Sequence, residues 1–198
     1  MDEALWIRRA REGDLDAFEA IVRGKRERVF WTAYRIVGAE EAAKDVAQTV
    51  FVRLWQNLGR IDPDRPLDPW LHRTTVNLAI DAFRRSRRFL PLTGDLEDRP
   101  AAARSAAADP PDAALARAEV QSIFDRLARH LTAAQRAAFV LVEIEGYRAD
   151  EAARTLGVRP STVRNHLLNA RRLLRRRLLQ LYPEYAGGFR RRPEREEP

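Results

Sequence analysis

The sequence predicts an all-α protein of two small helical domains joined by a flexible linker, the second domain containing a helix-turn-helix. Three observations carry that prediction. Apolar residues recur at steps of three and four, as in Val163, Leu167, Ala170, Leu174 and Leu178, which is the period of a helix with one inward stripe. Long alternating strand patterns are missing, and the 9 glycines and 11 prolines fall mostly at breaks. Over 91–114 the composition shifts to small residues, proline and acid, dividing a 198-residue chain into two blocks, each near the lower size for burying a core of its own.

The elements follow in order. Asp2 caps a short first helix that runs through Arg11, and Gly13 breaks it before Asp14 starts the next. Phe18, Ile21, Val22, Val29, Ala33 and Val37 then give a broken apolar stripe, with GKRER suggesting a bend or loop near Gly24 and Gly38 as the end. A third helix over 40–58 has a broad apolar face of Ala43, Val46, Ala47, Val50, Phe51, Leu54 and Leu58, which leaves Lys44, Asp45, Gln48, Thr49 and Arg53 elsewhere. The stretch GRIDPDRPLD is too rich in proline for a regular element and reads as a restricted loop. Asp68 then serves as an N-cap and Pro69 as the first residue of a helix to about Arg88. Arg73, Asn77, Asp81, Arg84, Arg85 and Arg88 make its polar, increasingly basic surface, which suits phosphates or, equally, the negative end of the helix macrodipole.

The linker holds five acids against two arginines and too little apolar surface to order it. Beyond it, Leu115, Val120, Ile123, Phe124 and Leu127 line one helix, and Thr132 caps another that is apolar up to Gly146. A short helix over 150–156 stops at Gly157, and Pro160 opens the last one, so two helices meet across a tight turn. Outward on that last helix lie Ser161, Arg164, Asn165, Leu168 and Arg172. Arginine can bond a guanine edge and asparagine an adenine edge in a major groove, mainly from the first turns of a recognition helix. Arg171, Arg175, Arg176 and Arg177 suit phosphates, although an arginine run alone is also what a solvated face looks like. The tail over 183–198 loses periodicity and reads as disordered.

Composition narrows the function. The net charge of +7 comes from 36 basic against 29 acidic residues, and only Lys25 and Lys44 are lysines. Guanidinium suits phosphates and base edges, but an Arg- and Ala-rich chain also reflects a GC-rich genome, so clustering counts for more than the total. Without cysteine there is no disulfide framework, thiolate zinc site or cysteine nucleophile. His72, His130 and His166 are scattered without ligand spacing, and neither a metal nor a cofactor is expected. No apolar segment is long enough to span a bilayer, and MDEALWIRRAREG is unlike a signal peptide; a cytoplasmic protein without membrane insertion is expected.

Two blocks resemble a known family. KDVAQTVFVRLW over 44–55, followed by PWLHRTTVNLAIDAFRRSRR over 69–88, is similar to the second conserved region of the alternative sigma factors of bacterial RNA polymerase, the extracytoplasmic-function group (group IV). LTAAQRAAFVLVEIEGYRADEAARTLGVRPSTVRNHLLNARRLLRRRL over 131–178 resembles their fourth region. The resemblance implies a region 2-like domain over 1–90, a linker over 91–114, a region 4-like domain over 115–182 and a tail. It implies that Asp45, Gln48 and Phe51 lie on or beneath a surface docking on the polymerase clamp helices. Arg60, Arg65, His72, Arg73, Asn77, Arg84, Arg85 and Arg88 would meet and melt the minus-ten element, with the loop over 60–68 capturing an unstacked base. Arg148, Ser161, Thr162, Arg164, Asn165, Arg171 and Arg172 would serve the minus-thirty-five element. Core polymerase, through its clamp helices and flap, promoter DNA and an anti-sigma factor are the implied partners, and no covalent chemistry is implied. Arg148 departs from the family pattern, standing where a capping serine is common.

Two rivals differ in class. STVRNHL also resembles the recognition helix of response-regulator output domains, so a stand-alone helix-turn-helix regulator is the alternative; it leaves 44–88 unexplained. A metal-assisted nuclease built on Asp62, Asp64 and Asp68 would need supporting ligands that the sequence does not supply.

Overall fold

A computed structural model describes residues 3–88 and 111–183. The predicted linker as far as residue 110 and the tail beyond Pro183 lie outside the described residues. All regular structure among the described residues is helical: α1 (Glu3–Arg11), α2 (Leu15–Val37), α3 (Glu40–Asn57), a 3₁₀ turn (Leu58–Arg60), α4 (Asp68–Arg88), α5 (Pro111–Ala128), α6 (Ala133–Phe139), a π segment (Val140–Ile144), α7 (Ala149–Leu156) and α8 (Pro160–Leu181).

Helices α1 to α4 form the first bundle. Asp14 caps α2, its side chain accepting the Ala17 N–H at 3.0 Å, and Gly38 ends that helix in the left-handed region at φ 74°. The expected break at Gly24 does not occur, because α2 runs without interruption from Leu15 to Val37. Ile21 and Val29 on either side of it are both buried, and Lys25 is pinned by Glu3 at 2.6 Å and Asp68 at 2.7 Å. Tertiary burial thus outweighs the roughly 1 kcal/mol that an interior glycine costs a helix.

A second correction concerns Asp68. The Leu67 carbonyl accepts the first amides of α4, from Trp70 and Leu71, while the Asp68 carboxylate bonds Lys25 and Arg28 across the bundle. Capping gave way to cross-helix charge pairing. Trp70, half-buried in the first turn of α4, packs against the core.

Helices α5 to α8 form the second bundle. Thr132 caps α6 in a capping box with Gln135, Gly157 ends α7 at φ 66°, and Pro160 is the first residue of α8. Val163, Leu167, Ala170 and Leu174 are the buried stripe of α8, as the spacing predicts. The two bundles touch. One cluster of buried side chains runs from Ile7 through Phe83 to Leu141, Ala152 and Val163, so α6 and α7 pack on α4.

Candidate nucleic-acid interface

Helix α8 places its outer side chains as the period requires. Ser161, Arg164, Asn165 and Arg172 are exposed, and at about 100° per residue they fall within one face roughly 100° wide. Leu168 stands among them, 45% exposed. Thr162 is half-buried and its amide bonds the Arg159 carbonyl at 2.9 Å. Arg171 is exposed but paired, its Nε donating to Glu143 at 3.1 Å. Arg148, also exposed, lies 3.4 Å from Asp150. Its amide donates to Glu151 at 2.8 Å. That is half of a capping box, because a guanidinium has no acceptor to return to the third amide of the helix.

Helix α4 is built differently. Arg73, Asn77 and Arg84 are exposed within about 40° of one another around the axis, and Arg85 is exposed beside them. Arg88 ends the helix, and its side chain lies outside the described set. The loop leading into α4 is held by α1. Glu3 accepts the Leu67 amide at 3.0 Å, Arg8 bonds Asp64 at 2.5 Å, and Arg11 bonds the Gly59 carbonyl at 3.2 Å. Arg60 and Arg65 are exposed on this anchored loop, Arg65 at 3.3 Å from Asp62. The three carboxylates of the nuclease reading, Asp62, Asp64 and Asp68, each face an arginine or lysine.

His72 is the correction in this set. Placed by the resemblance on a DNA-facing surface, it is 7% exposed. Its Nε2 lies 2.7 Å from the Glu145 carboxylate, and its ring stacks on Tyr147 at 4.7 Å. The second bundle covers it.

On α3, Asp45 and Gln48 are exposed and Phe51 is half-buried against the core. Two residues that sequence reasoning did not single out extend the same side: Val52 and Trp55 are 48% and 39% exposed, and Trp55 meets Phe18 edge to face at 4.9 Å. Val52 and Trp55 thus place two apolar side chains beside Asp45 and Gln48 on the outer side of α3. Their spacing from Asp45 was the available signal.

Sequence reasoning also missed the contact between bundles. Arg136, 2% exposed, donates to the Arg35 carbonyl at 2.8 Å and to Asp125 at 2.6 Å. Its guanidinium lies over the rings of Phe83 and Phe124 and so close to Gly38 that a Cβ there would stand 2.9 Å from Nη2. Burial pushes the Asp125 carboxyl up and the Arg136 guanidinium down, and their short contact holds them as an ion pair. Burial, then the neighbouring Asp125, pushes the Tyr34 hydroxyl up to about 12. For Glu145, burial works to raise the carboxyl, yet its bonds with His72 and Thr32 and the charge of Arg35 leave it lowered.

Two family matches cover these surfaces: Sigma-70 region 2 over residues 21–89 and Sigma-70, region 4 over 121–174. The RNA polymerase sigma factor NccH of Alcaligenes xylosoxydans xylosoxydans is 34% identical over 174 residues, which are 86% of this chain and 91% of that protein. The chain belongs to the ECF sigma factors of RNA polymerase. The ECF sigma factor SigE of Mycolicibacterium smegmatis is 33% identical over 163 residues, 81% of this sigma factor and 61% of that one. Two curated relatives are longer, and the match spans 61% and 44% of their length, while a third is matched over 81 residues, 43% of its length. Among solved structures, CnrH in complex with the cytosolic domain of CnrY superposes with a TM-score of 0.60 at 25% identity, covering 92% of this sigma factor and 99% of that chain. Among the described residues no helix is long and apolar enough to cross a membrane.

Proposed function

We propose that this chain is an alternative sigma factor of group IV that binds core RNA polymerase, directs it to specific promoters and promotes melting of the DNA. What supports this reading best is the coexistence on one chain of two exposed Arg- and Asn-bearing helix faces with a third face, on α3, that carries apolar residues beside Asp45 and Gln48. A regulator acting alone would need no such third face.

In this reading the domains divide at 1–90 and 115–182. Asp45, Gln48 and Phe51, extended by Val52 and Trp55, dock on the clamp helices, and the second domain meets the flap. Ser161, Thr162, Arg164, Asn165 and Arg172 serve the minus-thirty-five duplex, with Arg148 and Arg171 on its phosphates. Arg73, Asn77, Arg84, Arg85 and Arg88, with Arg60 and Arg65 on the loop, serve the minus-ten element. Melting needs no nucleotide hydrolysis, because a pocket that binds an extruded base offsets the few kcal/mol of unstacking. A cytoplasmic site of action and an anti-sigma partner belong to the same reading, the latter supported by the likeness to a sigma factor solved with the cytosolic domain of another protein.

Purified protein added to core polymerase with a promoter library tests this, the transcripts being sequenced. Initiation at a defined set of promoters is the expected outcome. Specific duplex binding that is equally strong without polymerase, and no specific initiation, would favour the stand-alone regulator.

A further inference from the structure

The turn between the π segment and α7 inserts a carboxylate into the first bundle. The Glu145 side chain is 10% exposed, and it bonds side chains of α2 and α4. Thr32 Oγ1 donates to Oε1 at 2.8 Å, His72 Nε2 meets Oε2 at 2.7 Å, and Arg35 Nη1 lies 3.8 Å away. The cleft continues past this point along Lys25, Arg28, Thr32, Asp68, His72 and Thr75. A hydroxyl, a ring nitrogen and a guanidinium converging on one anion are a donor set that phosphate oxygens also accept.

Charges around the cleft sharpen the point. Lys25 is paired with Glu3 and Asp68, and Arg28 with Asp68. Glu145 is the carboxylate paired with Arg35. Its departure would leave a cation, a hydroxyl and an imidazole lining a notch with their anion gone, which favours taking up another. Lys25 and Arg28 line the cleft from α2, and Arg73 follows His72 about 100° around the axis of α4. The surroundings favour a nucleic-acid phosphate over an acidic peptide.

Departure of Glu145 is something the proposed function requires. The two promoter elements are named for positions about 25 base pairs apart, on the order of 85 Å along the duplex at ~3.4 Å per step. Bundles that share one buried cluster cannot reach both at once. Resting on the sigma-factor reading, we propose that Thr32, Arg35 and His72 form a binding site for a backbone phosphate of promoter DNA, which Glu145 occupies as an internal substitute while the bundles are closed on each other. Opening and DNA engagement are then one exchange of anions at one notch.

The chain has no cysteine, so Gln56→Cys and Asn169→Cys give two unambiguous spin-label sites on the full-length protein, one per bundle. Glu145→Ala should lengthen the measured distance. It should also tighten binding of a fluorescein-labelled oligothymidylate roughly tenfold at low salt, and steepen the dependence on log salt by about 0.7, the increment for one phosphate on a single strand. Adding Thr32→Val should remove both gains while the distance stays long. The proposal is overturned if Glu145→Ala leaves the bundles closed, if they open with no gain in oligonucleotide binding, or if the gain survives Thr32→Val. Displacement of the oligonucleotide by oligoglutamate of equal charge would overturn it too, assigning the notch to an acidic protein. Failure of the unsubstituted protein to support polymerase-dependent initiation would instead defeat the sigma-factor reading, and this binding assay is independent of that result.

Discussion

Helices α4 and α8 carry similar side chains and are embedded in opposite ways. Helix α8 buries one stripe, Val163, Leu167, Ala170 and Leu174, and leaves the rest of its circumference to solvent. Helix α4 is flanked by α2 and α3 within its own bundle and by α6 and α7 of the other, so that Leu71, His72, Thr75, Val76, Leu78, Ala79, Ile80 and Phe83 are all buried. What remains exposed on α4 runs through Arg73, Asn77, Asp81 and Arg84 and widens over its last turn at Arg85, Ser86 and Arg87. The difference teaches that α8 can present its face to a duplex as it stands, whereas access to α4 depends on where the second bundle sits.

The strongest way to break this asymmetry is Arg136→Ala. It removes the guanidinium that joins the bundles and leaves Asp125 buried without its cation, so destabilisation of about 3–5 kcal/mol is expected, read from chemical denaturation. A loss under 1 kcal/mol would mean that the contact is not part of the folded protein. Next in size are the residues proposed to read the DNA. Arg164→Ala should reduce discrimination at the upstream element by about 1–3 kcal/mol, measured by competition between promoter variants. Asn77→Ala should leave that preference alone and impair open-complex formation, visible as weaker permanganate reactivity. Equal loss of upstream binding in both, with normal melting, would remove the division of labour.

Arg148→Ser has a smaller effect of opposite sign. A serine there supplies the acceptor that the half-formed capping box lacks, and a gain of about 1 kcal/mol in thermal or chemical stability is expected, together with a sequence-independent loss of duplex affinity. The finest test is one of pH. Since the native Glu145 carboxyl lies below its ordinary 4.5, the stability it contributes is present above that value and is lost as pH falls through the lowered native one. Asp125, raised above 3.8, acts in the opposite sense, its contribution being present in acid and fading as pH rises. Acid should loosen the part of the contact that Glu145 makes, and Glu145→Gln should remove that part and leave the opposite dependence of Asp125 in a distance measurement; an unchanged acid profile would show that another group controls it.

Much of the second bundle was legible because its signals are local. Thr132, Gly157 and Pro160 act within a turn of where they stand, and the stripe from Val163 to Leu174 follows from helical period alone. Misreadings arose where a distant residue competed with a neighbour. Asp68 is an adequate cap by itself, but Lys25 and Arg28 offer its carboxylate full charges. Gly24 looks like a break until Ile21 and Val29 are seen buried on both sides of it. The burial of His72 and the role of Glu145 were invisible, since their partners are 73 residues apart in sequence and nothing in the spacing of either helix encodes the other. The exposed face of α8 could be laid out from sequence, whereas that of α4 could be laid out only in part, for the same reason that the two helices differ in embedding.

The π segment bears on how such a chain can vary. Over Val140–Ile144 the backbone amides reach one residue further back than in an α-helix, as Glu145 does in bonding the Val140 carbonyl at 2.9 Å. A π turn takes up one residue more than an α turn over nearly the same rotation, so a single deletion within these five positions would restore ordinary winding and draw Glu145 and Tyr147 back by about 1.5 Å along the axis while α7 and α8 keep nearly the same heading. The extra residue thus acts as a spacer: it sets how far the Glu145 carboxylate reaches toward Thr32 and His72 without altering the course of the helices that follow.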